Sequence, residues 1–418
     1  MDHAALTEQL GSRARSAGER VAEFPAEARD SALCLAADRI EREASSLCGE
    51  NAQDLEAAKQ NGLSGPLLDR LELNERRIAS MAQGLREIAA LPDPLGEITR
   101  MRNRPSGIQV GRMRIPLGVI LVIYESRPNV TADVGGLCLK SGNAAILRGG
   151  SEALHSNRAI AELLRGALRE SGIPEDAIQL VPETDREIVD LLLERENDID
   201  LVIPRGGESL IRRVSERSRI PVVKHYKGNC HVYLDQYADP KMARELAINS
   251  KTQRVSVCNA AETLLVHSAF AGQFLPELLA ELDGLGVELR GCERTRAAFP
   301  DAVPASDADF EEEYLDMILA VRVVDSLDDA VEHIRRFGSN HTEAIVTDDL
   351  RSAREFLRRV NSSCVMVNAS TRFADGFQLG LGAEVGISTS KVHWYGPMGV
   401  EGLTTEKFVV FGNGTLLE

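Results

Sequence analysis

From the start of the chain to about Ile98, apolar residues recur at three- and four-residue spacing, as in VAEFPAEARDSALCLAADRIE and IASMAQGLREIAAL. That period gives each stretch one apolar face and predicts a helical lead-in. The pattern changes at PSGIQVGRMRIPLG, where Pro105, Ser106 and Gly107 signal a turn and Ile108, Val110, Met113 and Ile115 suit a strand. A β-hairpin is predicted there. It has no obvious core, and a two-stranded arm needs another surface, which points to a subunit contact. From Val119 to about Asp235, strand and helix periods alternate. The strands are GVILVIY, NAAILR, AIQLV, DIDLVI and PVVKH; the helices follow Thr131 and include SEALHSNRAIAELLRGAL, DREIVDLLLE and GESLIRRVSE. This succession predicts a parallel sheet with helices on both faces, a layout that binds nucleotides at the C-terminal ends of its strands.

A second α/β segment follows Cys258, with strands AETLLVH, ILAVRVV, EAIVT and CVMVN and helices near Phe270 to Leu282, in DDAVEHIRRF and in REFLRRV. The tail EKFVVFGNG reads as one more strand. No repeat or low-complexity linker separates these parts, so the domains are expected to interleave. A length of 418 residues suits two or three domains. Aromatics make up 4% of the chain, so Leu, Val, Ile and Ala must build the cores.

The net charge of -16 argues against a nucleic-acid binder, which needs a basic face. The longest apolar run, around Val119 to Tyr124, is far too short to span a bilayer, and MDHAALTEQ lacks a basic and apolar leader. A cytosolic protein is expected. The seven cysteines (34, 48, 138, 230, 258, 292 and 364) are odd in number and without a paired two-residue spacing, which supports neither a disulfide framework nor a zinc ribbon. The eight histidines are scattered, so no bound metal is expected.

Candidate chemistry gathers at a few turns. Gly149, Gly150 and Ser151 follow the strand AAILR, and Gly206 and Gly207 follow DLVIP; a helix follows each turn. Helix N-termini offer N–H donors and a favourable dipole to phosphate, and glycine lets the backbone come close. A single Gly-Gly turn is more often a plain helix start; two at successive strand ends point toward a dinucleotide. Arg148, just before the first turn, suits a ribose 2′-phosphate and hence NADPH. Cys258 lies in a polar turn of small residues (Ser256, Asn259, Ala260) opening onto an apolar strand that ends at His267. A buried core cysteine is the default for any one thiol, and Cys138 and Cys364 fit it. Lys251 and Arg254 precede Cys258, and positive charge nearby favours a thiolate. His333 and His341, around the Gly338 break, read as a solvated helix end and a loop. Asn368, Ser370, Thr371 and Arg372 follow a strand; the arginine suits a carboxylate, and a surface loop fits equally.

With these residues assembled, the chain resembles the aldehyde dehydrogenase superfamily, and within it the γ-glutamyl phosphate reductases (glutamate-5-semialdehyde dehydrogenases), nearly end to end. The segments IPLGVILVIYESRPNVTADVGGLCLKSGNAAILRGGSEA, KTQRVSVCNAAETLLVH and TSKVHWYGPMGVEGLTTEKFVVFGNG are similar to that family's blocks. The most specific match is VVDSLDDAVEHIRRFGSNHTEAI. It fits the family signature at Val324, Ala330, His333, Ile334, Gly338, Ser339, His341, Thr342, Glu343 and Ile345, with Phe337 where His or Tyr is usual.

The resemblance implies an α/β fold with a Rossmann-type cofactor domain (1–98 and 118–255), an α/β catalytic domain (256–402) and a small β oligomerisation arm (99–117 and 403–418). It implies Cys258 as the nucleophile and NADPH held near Arg148, Gly206, Gly207 and Glu313, to which the turn reading adds Gly149, Gly150 and Ser151; for the oxyanion of the acyl step, a backbone N–H and Asn129 are the candidate donors. The substrate's α-carboxylate and ammonium demand opposite charges, for which Arg127 or Arg372, and Glu125, are the candidates. Members that oxidise aldehydes to free acids carry a glutamate base in a block that here reads VVKHYKGNCHVYLD, which has no Glu. That departure suits a reductase of an acyl phosphate in proline biosynthesis, a homo-oligomer with transient contact to glutamate 5-kinase. A hydrolytic aldehyde dehydrogenase and a non-catalytic relative of the same fold are the alternatives.

Overall fold

The computed structural model describes residues 2–63 and 65–417, which fall into two compact units. Met1, Ser64 and Glu418, inside the expected segments 1–98 and 403–418, lie outside the described residues. The first unit comprises residues 1–224, 380–386 and 398–418, and the second 225–379 and 387–397. Among the described residues no helix is long and apolar enough to cross a membrane.

The first unit opens with the expected helices, His3–Val21, Ala26–Arg42, Ala44–Gln60, Pro66–Leu71 and Glu75–Ala90. Their spacing acts as predicted: Leu6, Leu10 and Ala14 pack with Val119, Leu121 and Ile146 of the sheet. That sheet has four parallel strands in the order Ile178–Leu180, Ala144–Gly149, Val119–Tyr124 and Leu201–Arg205. In chain sequence this order is third, second, first, fourth. Strand order therefore reverses between Val119–Tyr124 and Leu201–Arg205, which makes their C-terminal ends the switch point where such sheets bind ligands.

The hairpin forms from Ile98–Asn103 and Gln109–Pro116, turning through Gly107 at φ 87°. The tail does not stay a lone strand. Thr404–Phe411 pairs antiparallel with Gln109–Pro116 along its whole length, from Thr404 opposite Pro116 to Phe411 opposite Gln109.

The second unit holds seven strands in the order Val303–Pro304, Glu288–Gly291, Ile318–Val324, Ala261–His267, Cys230–Leu234, Thr342–Val346 and Cys364–Val367, all parallel. The two-residue period of the central strands separates its cores. Val232, Leu234, Leu264 and Val266 face Leu275, Leu278 and Leu282 of helix Ser268–Gly284. Tyr233, Leu265 and Ile345 face Val331, Ile334 and Phe356 of helices Leu327–Phe337 and Leu350–Arg359.

Two expectations change here. PVVKH is no strand; it makes one isolated bridge, Val222 to Val202, before the chain leaves the first unit. The boundary expected at 255/256 falls at 224/225, because Cys230–Leu234 pairs with both Ala261–His267 and Thr342–Val346 and carries helix Pro240–Thr252 with it. Residues 380–386 and 398–402 likewise fall in the first unit.

Candidate active site

In the second unit, three neighbouring parallel strands begin side by side, with Cys230 opposite Ala261 and His231 opposite Glu343. The residues just before them, Gly228, Cys258 and His341, are thereby brought to the N-terminal edge of the sheet. Cys258 is half-buried at the crest of a turn closed by Ala260 N–H donating to the Val257 carbonyl at 3.1 Å. Asn259, buried beside it, donates to the Ala374 carbonyl at 2.9 Å and fixes the turn against the segment carrying Arg372. On the other side the Gly228 backbone is in direct contact: a Cβ at Gly228 would lie 2.1 Å from the Cys258 carbonyl oxygen. The Cys230 thiol donates to the same oxygen at 3.2 Å.

His341 is fully buried, its Nδ1 2.8 Å from Thr342 Oγ1 and 3.6 Å from Cys230 Sγ. One ligand-type atom each from His225, Cys258 and His341 lies within 4.8 Å of the others. Sequence reading left His341 in a loop and gave His225 no role. The only signal for His341 was its place in the family signature, since the closeness arises from strand order.

Around Cys230 the carboxylates are all engaged. Glu343 accepts from both His231 N–H and the His231 ring at 2.9 Å, and Glu262 pairs with Lys251 at 2.6 Å with neither exposed. Burial pushes the Glu262 carboxyl up and the Lys251 ammonium down. Lys251 therefore answers Glu262, and the expected charge support for Cys258 has to come from elsewhere. The Arg372 guanidinium, lowered by burial and by the neighbouring Arg254, has Asp375 and Cys258 among its charged neighbours. Gln253 Oε1 accepts from Arg372 Nε at 2.9 Å and holds it. Glu313 has its carboxyl raised by burial, and it accepts a hydrogen bond from the Gly228 backbone. Burial, followed by Glu343, Cys258, Glu262 and Glu313, raises the Cys230 thiol well above its ordinary range.

The first unit presents its candidates at the switch point. Ser126, between Glu125 and Arg127, has φ 45°, a strained conformation for a residue with a side chain. Glu152 pins it, accepting from Ser126 N–H at 2.6 Å and from its hydroxyl at 2.9 Å. Asn129 begins helix Asn129–Lys140, is exposed, and donates to Asp133 at 2.8 Å. Glu125, expected at the substrate amine, has its carboxylate on the Gly207 N–H at 3.1 Å. The helix N-terminus attracts it.

The glycines divide by cause. A Cβ at Gly149 would lie 2.0 Å from Asn157 Nδ2, at Gly150 2.1 Å from Glu152 Oε1, and at Gly206 2.3 Å from Glu125 Oε2. At those three positions a Cβ would displace the end of a neighbouring side chain. At Gly207 a Cβ would meet nothing within 4 Å, and φ is -67°. Neither packing nor backbone conformation demands glycine at 207. Ser151 starts the short turn before helix Leu154–Glu170. Arg148 donates to the carbonyls of Gly149 at 3.1 Å and Thr184 at 2.7 Å, and its guanidinium is lowered by burial, with Arg186 and Arg213 among its neighbours. The switch point thus suits a nicotinamide dinucleotide through the clear space beside Gly207, whose N–H is held by Glu125, and the guanidinium groups of Arg148, Arg186 and Arg213.

The sequence profile of the aldehyde dehydrogenase family matches residues 3–295. The chain belongs to the aldehyde dehydrogenase family. It is 55% identical over 416 residues, the full length of both chains, to a γ-glutamyl phosphate reductase of Moorella thermoacetica. A solved γ-glutamyl phosphate reductase from Thermotoga maritima is 42% identical and superposes with a TM-score of 0.96, covering 99% of this chain and 100% of that one. The Saccharomyces cerevisiae protein of the same name is 33% identical over 98% of each chain, at a TM-score of 0.54. Aldehyde dehydrogenases are oxidoreductases that use nicotinamide cofactors, in keeping with the switch-point geometry. In this family member the block Val222–Asp235 supplies Gly228 and Cys230 beside the candidate nucleophile, and no glutamate.

Proposed function

We propose that this chain reduces L-γ-glutamyl 5-phosphate to L-glutamate 5-semialdehyde and phosphate in proline biosynthesis, with NADPH as hydride donor and Cys258 as acyl carrier. The observation that carries the reading is the setting of Cys258: a turn fixed from both sides, two guanidinium groups nearby, and neighbouring carboxylates already committed to other partners. Full-length likeness to proteins named for this reaction supports it.

The Cys258 thiolate attacks the acyl carbon, and the C–O bond to phosphate breaks with its electron pair leaving on phosphate. Arg254 and Arg372 offset the charge that gathers on the leaving group. A backbone N–H and Asn129 stabilise the oxyanion. When bound, the nicotinamide cofactor supplies a hydride to the thioester carbon. Collapse of the resulting adduct on Cys258 breaks the C–S bond, restores the thiolate and leaves the aldehyde. In sum, acyl phosphate, hydride and thiolate give aldehyde, phosphate and the thiolate again. With no glutamate in Val222–Asp235 to activate water, the thioester survives until reduction.

Gly207, Arg148 and the turn at Gly149, Gly150 and Ser151 hold the cofactor, Gly206 and Glu125 brace the turn at Gly207, and Glu313 holds the nicotinamide ribose. Arg127 takes the substrate carboxylate. The same reading makes the first unit the cofactor domain and the second the catalytic domain. It assigns the chain to the cytosol as a homo-oligomer joined through the arm, in transient contact with glutamate 5-kinase.

Semialdehyde oxidation assayed with NADP and with NAD, each with and without phosphate, tests the reading. Phosphate-dependent turnover that favours NADP is expected, and Cys258→Ala should abolish it while NADPH binding persists. Turnover retained by Cys258→Ala would sink the assignment.

A further inference from the structure

We propose that His225, Cys258 and His341 form a binding site for a thiophilic divalent cation such as Zn²⁺, and that filling it silences the enzyme by occupying the nucleophile's sulfur. The inhibitory half rests on the reading of Cys258 as nucleophile; the binding half does not. Ligand atoms around tetrahedral zinc, at about 2.0–2.3 Å from the metal, stand roughly 3.5 Å apart. The three groups here already lie within 4.8 Å of one another, so small side-chain rotations close the set. Two imidazoles and one thiolate form a three-ligand zinc set that leaves the fourth position to water, and soft sulfur selects zinc or cobalt over magnesium.

The surroundings are built for it. His341 is buried and its ring is oriented by Thr342 Oγ1 at 2.8 Å from Nδ1, the outer contact that metal-bound histidines keep. His225 lies against it with ring centroids 5.7 Å apart. Glu313, half-buried and electrostatically linked to His341, offsets part of the cation's charge. On binding, the Cys258 S–H bond is exchanged for a sulfur–metal bond and the proton is released. The sulfur lone pair then is no longer available to attack an acyl phosphate.

Titrating the full-length protein with Co²⁺ alone, followed by near-ultraviolet absorption, tests the site. One Co²⁺ per chain with a thiolate-to-metal charge-transfer band is expected, and Mg²⁺ should not compete. Zn²⁺ should inhibit reversibly, with activity restored by EDTA. His225→Ala, a change at a half-exposed position, should weaken Co²⁺ binding by more than the ~10–100-fold cost of losing an outer contact, at an unchanged unfolding midpoint and NADPH affinity. Absence of the band, or equal Co²⁺ affinity in wild type, His225→Ala and Cys258→Ser, overturns the proposal. Loss of the band alone leaves the proposed reaction standing, whereas a metal-binding protein in which Cys258→Ala stays active contradicts the reaction and not the site.

Discussion

A methyl group at position 228 would sit 2.1 Å from the Cys258 carbonyl oxygen and 2.7 Å from its Cα. Gly228→Ala must therefore displace either the approach to Cys230–Leu234 or the Cys258 turn itself. The expected cost is about 1–3 kcal/mol of stability in a denaturant titration, as for an overpacked core, together with a kcat at least about tenfold lower because a misplaced nucleophile loses its alignment. An unchanged kcat would mean that the contact does not position Cys258. A second residue ties stability to pH. His333 is buried among Phe310, Phe337 and His231, accepts from Arg322 at 3.3 Å, and is lowered by burial to about 2, with His231, Arg322 and Arg336 adding to the effect. In the unfolded chain it protonates near 6.5. Its contribution is thus complete above that pH and is lost as pH falls, by up to about 1.4 kcal/mol per pH unit. Chemical denaturation at pH 7.5 and pH 5 should show about 2 kcal/mol less stability at the lower pH, a difference that His333→Gln reduces. At this scale the sequence revealed Cys258 by its turn, but not His225, His341 or Gly228, whose relation to it depends on which strands lie side by side.

At the scale of elements, the alternation of periods was enough to place the first unit's parallel strands and the helices between them, because each strand there is a short apolar run bounded by turn residues. Cys230–Leu234 was not found. Its five residues follow the polar stretch KHYKGN and carry two polar side chains, His231 and Cys230, whose burial is met by Glu343 and the Cys258 carbonyl, partners remote in sequence. The same strand moved the domain boundary. The glycine turns were legible as turns, yet sequence could not distinguish glycines set against a neighbouring side chain from Gly207, which has clear space beside it. Gly207→Ala separates them. With an ordinary φ of -67° and nothing within 4 Å of a new Cβ, the variant should unfold within about 0.5 kcal/mol of wild type, while its KM for NADPH rises severalfold. An unchanged KM would remove Gly207 from the cofactor site.

For the whole molecule, the β arm is the feature that the chain does not complete by itself. Ile98, Met101, Phe408, Val410 and Phe411 are large apolar residues left exposed on a three-stranded sheet formed by the hairpin and the tail. The strand registers place Phe408 and Val410 on one face and Ile98, Met101 and Phe411 on the other, and exposed apolar faces of this kind mark interaction surfaces. Val410→Asp should lower the mass measured by light scattering toward that of a single chain, with far-ultraviolet circular dichroism unchanged; an unaltered assembly would show that this face is not the interface. The arm's pairing with the tail was foreseen only through the family resemblance, since neither segment's own pattern names its partner.

The central claim is that the acyl group on Cys258 is exchanged with phosphate and not with water. It is tested most directly by mixing enzyme, glutamate 5-semialdehyde and NADP in phosphate-free buffer and following NADPH at 340 nm, roughly its absorption maximum. The account predicts a burst of about one NADPH per active site that then stops, with the glutamyl group found on Cys258 by mass spectrometry and steady turnover on adding phosphate. Continuous NADPH formation without phosphate would contradict it.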